Sequence, residues 1–337
     1  MPIQHVFGPV PSRRLGMSLG IDPVPTKTCN FNCVYCQLGR TRPLTRKRKA
    51  FFNVSDILAE ITTVLAESEP GSIDWITFVG SGETTLFSRL GSLIRFVKTI
   101  STLPVAVITN GSLLFLPEVR RALSAADAVL PSLDAGSEEL FRSINRPHRE
   151  FTFAHQVEGL IEFRKVFDGS LWIEVMLLGG INDSRDALTD IASILEQVEP
   201  NEIHISTPTR PPAEPWVEPP CRGDLERASS IFGSVAKVLS PITVEVNSGV
   251  KGDLEDVVLT IVSRHPLQEV ELVRTLEHLV PGRVLETLST LANSKKIQVV
   301  ERFGKRFWCA AGTQFPDQSW NGSPQVRTHI HTPHHWV

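Results

Sequence analysis

From residue 54 to residue 239, short apolar runs alternate with stretches of helical period, and this constrains the fold more than any other feature of the chain. The runs WITFVG (75–80), PVAVITNG (104–111), DAVLPSLDAG (127–136), LWIEVMLLGGIND (171–183) and EIHISTPTR (202–210) read as strands, bounded by turn residues. Between them lie VSDILAEITTVLAE, FSRLGSLIRFVKTI, LPEVRRALSAA, FTFAHQVEGLIEFRKVF and SRDALTDIASILEQV, each with helical spacing. The first carries Ile57, Ile61, Val64 and Leu65 on one face, with Ser55 as a plausible N-cap. DLERASSIFGSVAKVL (224–239) closes the series as a further helix. Counting a short strand at 17–21, six strands are separated by helices. The pattern predicts an α/β fold: a parallel sheet with right-handed crossovers and its helices outside. Six βα units fall short of a closed eight-fold barrel, so a partial (βα)6 barrel is expected, with its chemistry at the C-terminal strand ends.

Into that frame falls KTCNFNCVYCQ (27–37), with Cys29, Cys33 and Cys36 spaced by three and then two residues. Thiolates are soft ligands that select iron–sulfur clusters, zinc or copper(I). Three close thiolates can each hold one iron of a four-iron cluster and leave the fourth iron open. A structural zinc site closes with four ligands, and no fourth cysteine or histidine lies near; the nearest histidine in sequence is His5. The remaining cysteines, Cys221 and Cys309, read as ordinary thiols.

After residue 246 the character changes. NSGVKGD (247–253) contains the expected linker, 247–252. DLEDVVLTIVSRHPLQEVELVRTL offers two helices parted near His265 and Pro266, and PGRVLETLSTLANSKK a third. IQVVERFGKRFWCA reads as two strands around Phe303, Gly304 and Lys305. Three helices and a hairpin over 253–312 are the layout of a small winged helix-turn-helix domain, its third helix carrying Arg283, Lys295 and Lys296. That modest basic content suits a protein- or peptide-contacting module as well as nucleic acid. Residues 313–337 are polar and contain four of the ten histidines in HIHTPHHWV. They are expected to be a disordered His-rich tail.

The net charge of −3 carries no global nucleic-acid signature, although RTRPLTRKRK (40–49) places six basic residues in ten beside the cysteines. That run is either a solvated connection or a positive rim for a phosphate-bearing substrate. The opening MPIQHVFGPVPSRRLG lacks a secretory h-region, and no apolar run is long enough to span a membrane. Clustered cysteines suit a reducing compartment. The expectation is a cytoplasmic protein with no membrane partner.

At the cysteine loop the chain resembles the radical S-adenosylmethionine (SAM) superfamily, whose signature is CxxxCxxC with an aromatic before the last cysteine, here Tyr35. The resemblance implies a [4Fe–4S] cluster on Cys29, Cys33 and Cys36 whose open iron binds SAM. It also implies one-electron cleavage of SAM to methionine and a 5′-deoxyadenosyl radical, and hence an electron donor such as flavodoxin or ferredoxin. Gly80, Ser81, Gly82 and Glu83 stand where the family's Gly-Gly-Glu element meets the methionine ammonium. Thr109, Asn110, Gly111 and Asp134 stand where it contacts carboxylate or ribose, and Gly179, Gly180 and Ile181 where an apolar element approaches adenine. Tyr35 either packs near adenine or supports the loop. GPVPSRRLG, GSGETTL and ISTPTRPPAE look most like a subgroup related to the tRNA wyosine (4-demethylwyosine) synthases. Those synthases carry a second cluster on additional N-terminal cysteines, and this chain has none before Cys29. Only the radical SAM chemistry is therefore carried over.

Arg13, Arg14 and Arg210 lie near the expected active-site edge, where guanidinium groups recognise phosphate or carboxylate. They either hold substrate or brace the entrance. The reading is a radical SAM enzyme acting on RNA or a peptide. Its alternatives are a cluster-dependent nucleic-acid-binding sensor and a closed zinc site.

Overall fold

The structure is a computed structural model describing residues 5–240, 254–277 and 281–316. Its first strand, β1 (Val6–Ser12), runs antiparallel to β2 (Gly16–Ile21) and forms from the Gly-, Pro- and Arg-rich opening. The alternation there is hidden because the pairing slips between Phe7 and Val10, around Gly8 at φ +98°. The chain continues through α1 (Val54–Glu67), β3 (Trp75–Phe78), a 3-10 turn (Thr84–Leu86), α2 (Leu90–Ile100), β4 (Val105–Thr109) and α3 (Pro117–Leu123). Then come β5 (Ala128–Pro131), α4 (Glu138–Ile144), α5 (Phe153–Arg164), β6 (Ser170–Met176), α6 (Arg185–Val198), β7 (Glu202–Ser206), α7 (Arg222–Phe232) and β8 (Ala236–Val238).

Among the described residues, β1 to β8 form one eight-stranded sheet in chain order, with β2 to β8 parallel. The six expected strands are β2 to β7. Two local expectations are corrected. Ser55 lies inside α1, whose cap position is held by Asn53 without a side-chain cap bond. The closing helix ends at Phe232, because Gly233 adopts φ 80°, ψ −164°, a region open essentially to glycine. The chain then returns as β8 beside β7. The sequence reading also passed over α4, which Ser137 caps by accepting from the Leu140 N–H.

Period-two alternation puts one set of large apolar residues outward. Leu19, Ile21, Ile76, Phe78, Val105, Val107, Ile173 and Val175 join the main core beneath the helices. Ile57 and Ile61 of α1, and Leu93, Ile94 and Val97 of α2, bury against them. Each such side chain stabilises the fold by roughly 1.5–3 kcal/mol. The residues between them face inward: Ser18, Gly20, Thr77, Ile108, Glu174 and Met176 line an interior cavity, while Ala106, Ala128, Leu130, Trp75 and Trp172 form a smaller inner core.

A second core gathers α8 (Leu254–Arg264), β9 (Leu267–Gln268), α9 (Glu269–Leu276), α10 (Val284–Asn293), β10 (Ile297–Arg302) and β11 (Lys305–Ala310). Its three-stranded antiparallel sheet has the order β10-β11-β9. The expected linker, 247–252, lies outside the described residues. Residues 313–316, expected to begin a disordered tail, are held: the Gln298 amide donates to the Thr313 carbonyl (2.8 Å) and the Arg40 N–H to the Gln314 carbonyl (3.0 Å). The rest of that tail lies outside the described residues. Among the described residues no helix is long and apolar enough to cross a membrane.

Gly233→Ala tests the turn into β8. No neighbouring atom would meet the new Cβ, so the cost is backbone strain alone. A loss of about 1–3 kcal/mol is expected, read as a lower urea midpoint.

Candidate functional site

The inner face of the sheet opens into a cavity of about 1100 Å³, walled also by the cysteine loop, the β1–β2 turn and helix α8. Cys29, Cys33 and Cys36 all line it. Their loop leaves the C-terminal end of β2 and is tied down by main-chain bonds. The Lys27 N–H donates to the Ser81 carbonyl (2.8 Å), Glu83 N–H to Thr28 (2.9 Å), Val34 N–H to Ile144 (2.9 Å), and Thr45 N–H to Cys29 (3.0 Å). Gly82 is required by this contact, since a Cβ there would stand 2.0 Å from the Thr28 oxygen. The glycine element therefore first serves the close approach of backbone to cysteine loop.

The sulfurs are met by N–H donors. Lys27 Nζ lies 3.3 Å from Cys36 Sγ, the Phe31 N–H 3.4 Å from Cys29 Sγ, and Asn145 Nδ2 3.6 Å from Cys33 Sγ. Asn110 Nδ2 stands 3.9 Å from Cys29 Sγ and 2.8 Å from the Asn30 side-chain oxygen. Burial, reinforced by the Glu83 carboxylate, pushes the Cys29 thiol up to about 12. Burial and Asp134 push Cys33 up as well. Such thiols become thiolates only against a positive centre, which metal coordination supplies. Among the described residues no three His, Cys, Asp or Glu side chains stand close enough to bind one ion between them. A four-iron cluster asks instead for thiolates on separate irons. The donor set and its N–H partners fit a cluster.

Two buried carboxylates brace this arrangement. Glu83 accepts from Thr85 N–H (2.9 Å) and the Thr85 hydroxyl, from Thr109 Oγ1 (2.6 Å) and from Asn110 N–H (2.7 Å). Asp134 accepts from Tyr35 Oη (2.5 Å), Asn145 Nδ2 (2.7 Å) and Met176 N–H (2.9 Å). Burial pushes Asp134 up to about 6, against those three bonds. Asn182 Nδ2 joins the Asp134 and Met176 carbonyls (2.8 and 2.9 Å). Of the residues singled out from sequence, Tyr35, Gly80, Ser81, Gly82, Arg13, Arg14 and Arg210 line the cavity beside the cysteines. Glu83, Thr109, Asn110 and Asp134 stand behind its wall as the braces just described. Gly111 packs on Gln156 and Pro131, Gly179 donates its N–H to Glu218, and Gly180 to the Asp183 side chain. Tyr35, Ile181 and Trp216 each pack against one buried cluster of Val34, Ile144, Leu178 and Val217.

Sequence reasoning missed several partners. Lys27 adjoins the motif and also donates to the Gly39 carbonyl (2.7 Å). Asp22, directly after β2, accepts from the Ser81 N–H (2.9 Å) and hydroxyl. Asn145 arrives from α4 with no local signal. Glu214, almost fully buried, accepts from Arg40 (2.9 and 2.7 Å) and Arg146 (2.5 Å), and its N–H reaches the Val34 carbonyl (2.9 Å).

Residues 24–191 match the Radical SAM superfamily. The UPF0026 protein of Methanocaldococcus jannaschii is 34% identical over 306 residues, covering 90% of this chain and 94% of that protein. The chain belongs to the radical SAM superfamily. Radical SAM proteins use a [4Fe–4S] cluster and SAM. A Brachyspira hyodysenteriae protein named GTPase Obg is 38% identical over 298 residues, 88% of this chain, but the match spans only 43% of that protein's length. A solved structure titled "Structure of TYW1 with a lysine-pyruvate adduct bound" superposes at a TM-score of 0.44, with 14% identity over 90% of this chain and 83% of that one.

Two substitutions test the radical SAM site. Lys27→Met in cluster-loaded protein should retain iron but lower the cluster's reduction potential on the order of 50 mV, because a cation donating to a ligand sulfur favours the reduced cluster. An EPR-monitored redox titration reads this. Glu214→Ala leaves Arg40 and Arg146 without their carboxylate and should cost about 2 kcal/mol in urea unfolding, moderated because both guanidinium groups are partly solvated.

Proposed function

We propose that this chain binds a [4Fe–4S] cluster through Cys29, Cys33 and Cys36, holds SAM beside it, and cleaves SAM reductively to modify a substrate in the same cavity. The observation that carries this is the shared wall: three cysteines, Tyr35 and the Gly80–Gly82 backbone face one enclosed space. When bound, cluster and SAM supply a 5′-deoxyadenosyl radical that takes a hydrogen atom from the substrate. The protein's part is position and exclusion of water. Gly80, Ser81 and Gly82 present backbone to the SAM methionine end, while Glu83, Thr109, Asn110 and Gly111 hold that backbone in place. Asp134 fixes Tyr35 by its hydroxyl, and the Tyr35 ring, seated on the apolar cluster that Ile181 also packs against, gives adenine an apolar contact near the Gly179–Gly180 segment. A small low-potential carrier such as flavodoxin or ferredoxin delivers the electron.

The module 253–312 is read as a winged helix that closes the cavity. Val257, Thr260, Ile261, Arg264 and His265 of this module line the cavity. RNA and peptide remain the substrate classes of this reading. Against the sensor alternative, α10 stands where a DNA-reading helix would and carries Glu286 but no Lys or Arg.

Anaerobically reconstituted protein, given dithionite and SAM, should release 5′-deoxyadenosine, and Cys33→Ala should reduce release at least a hundredfold. A fully loaded cluster that leaves SAM intact would count decisively against this function.

A further inference from the structure

Three arginines enter the cavity wall from β1–β2 and β7, and they are not equivalent. Arg14 is spent on structure: its guanidinium forms an ion pair with Glu174, which also accepts from Ser206 Oγ (2.8 Å). Arg210 has acceptors, but neutral ones. Its Nη1 donates to Gln37 Oε1 (2.8 Å) and to His265 Nδ1 (3.2 Å), and Gln37 Nε2 meets the same ring nitrogen (3.1 Å). Burial with Arg210 and Arg264 nearby pushes His265 down to about 3, so the ring is uncharged at neutral pH and accepts at Nδ1. Arg13 has less still: its Nη1 is buried with no hydrogen-bond partner.

Burial, with Arg14 beside it, lowers Arg13, while Glu174 acts the other way. Burial pushes Arg210 down to about 10, with Arg13 the main charge responsible. Glu174 and Glu271 attract Arg13 and Arg210 through space, but their hydrogen bonds, like those of Glu60, go to other groups. Glu174 holds Arg14, Glu60 accepts the His5 and Val6 N–H groups (2.7 and 3.1 Å), and Glu271 accepts the Gln268 N–H (3.3 Å). Two repelling guanidinium groups, neither hydrogen-bonded to an acid, are costly to the free protein. A planar or tetrahedral anion between them would offset that cost through charge-assisted bonds.

We propose that Arg13 and Arg210 form an anion subsite that receives a carboxylate or phosphate group of the substrate. This rests on the proposed function in taking that substrate to be the one modified beside the cluster. Gln37 follows Cys36 directly, so the subsite is tied to the cluster loop, and His265 closes it from the C-terminal module. A subsite of this kind takes one anionic group at a time, a carboxylate of a peptide or a single phosphate of an RNA. The anion then fixes which hydrogen of the substrate faces the SAM site.

The test is ligand-observed NMR on the full-length protein, titrated separately with inorganic phosphate and with acetate. Saturable binding of one or both is expected, phosphate alone assigning a phosphate-bearing substrate and acetate alone a carboxylate. Arg13→Gln and Arg210→Gln should each weaken binding at least tenfold, while Arg121→Gln, on the exposed face of α3, should not. Excess SAM should leave the anion bound; displacement by SAM would assign the arginines to the SAM carboxylate and overturn the proposal. So would saturation by neither anion, or binding that survives both substitutions. A second readout separates recognition from bracing. Removing an unpaired buried cation should raise the Tm of Arg13→Gln by about 1–3 °C, whereas a fall in Tm marks a structural brace and sinks the idea. None of these readouts involves SAM cleavage, so a missing 5′-deoxyadenosine signal would reject the reaction and leave the subsite standing, and the reverse.

Discussion

The carboxylate of Glu83 is the contact on which the cysteine loop depends. It takes donors from the turn after β3 and from the end of β4, so two strand ends are fixed at one point. Its own N–H bonds the Thr28 carbonyl, one residue before the first cysteine. A buried carboxylate is tolerated only when its oxygens are satisfied, and these donors exist only if the strands lie in this order and register. Cluster loop, glycine turn and sheet are therefore one interlocked unit, with Gly82 allowing the approach that the bond to Thr28 requires.

Asp134 repeats the device on the other side of the loop. It holds Tyr35 and Asn145, and Asn145 in turn meets the Cys33 sulfur. Two polar anchors, each made from several strands, grip a loop that has little regular structure of its own. This distribution explains why several residues named from sequence stand behind the cavity wall. Their side chains orient those that face the space, as second partners commonly do around metal ligands.

The cavity shows a different logic on its opposite wall. Where the cysteine side is fully braced, Arg13 and Arg210 lack acidic hydrogen-bond partners, and the C-terminal module supplies His265 and α8 as a cover. A protein under no functional demand would neutralise those cations or turn them to water. In the proposed anion subsite, this is the place where stability gives way to recognition.

Much was legible in the sequence because it is written locally. Short apolar runs bounded by turn residues, alternating with helical spacing, identified β2 to β7, since strands of a parallel sheet covered by helices are apolar nearly throughout. The thiol spacing singled out the cysteine loop, because three thiols on one short segment need no tertiary information to be seen together. β1 and β8 were missed where a bulge and Gly233 break those patterns. Asn145, Glu214 and the inequality of Arg13, Arg14 and Arg210 could not be read at all. Each depends on which side chain another strand or module brings within hydrogen-bond reach, and such pairing has no local signature. The sequence by itself determined the cysteine loop and the sheet. Only the tertiary structure decided which polar groups are satisfied and which are left waiting, because satisfaction is a property of contacts between distant segments.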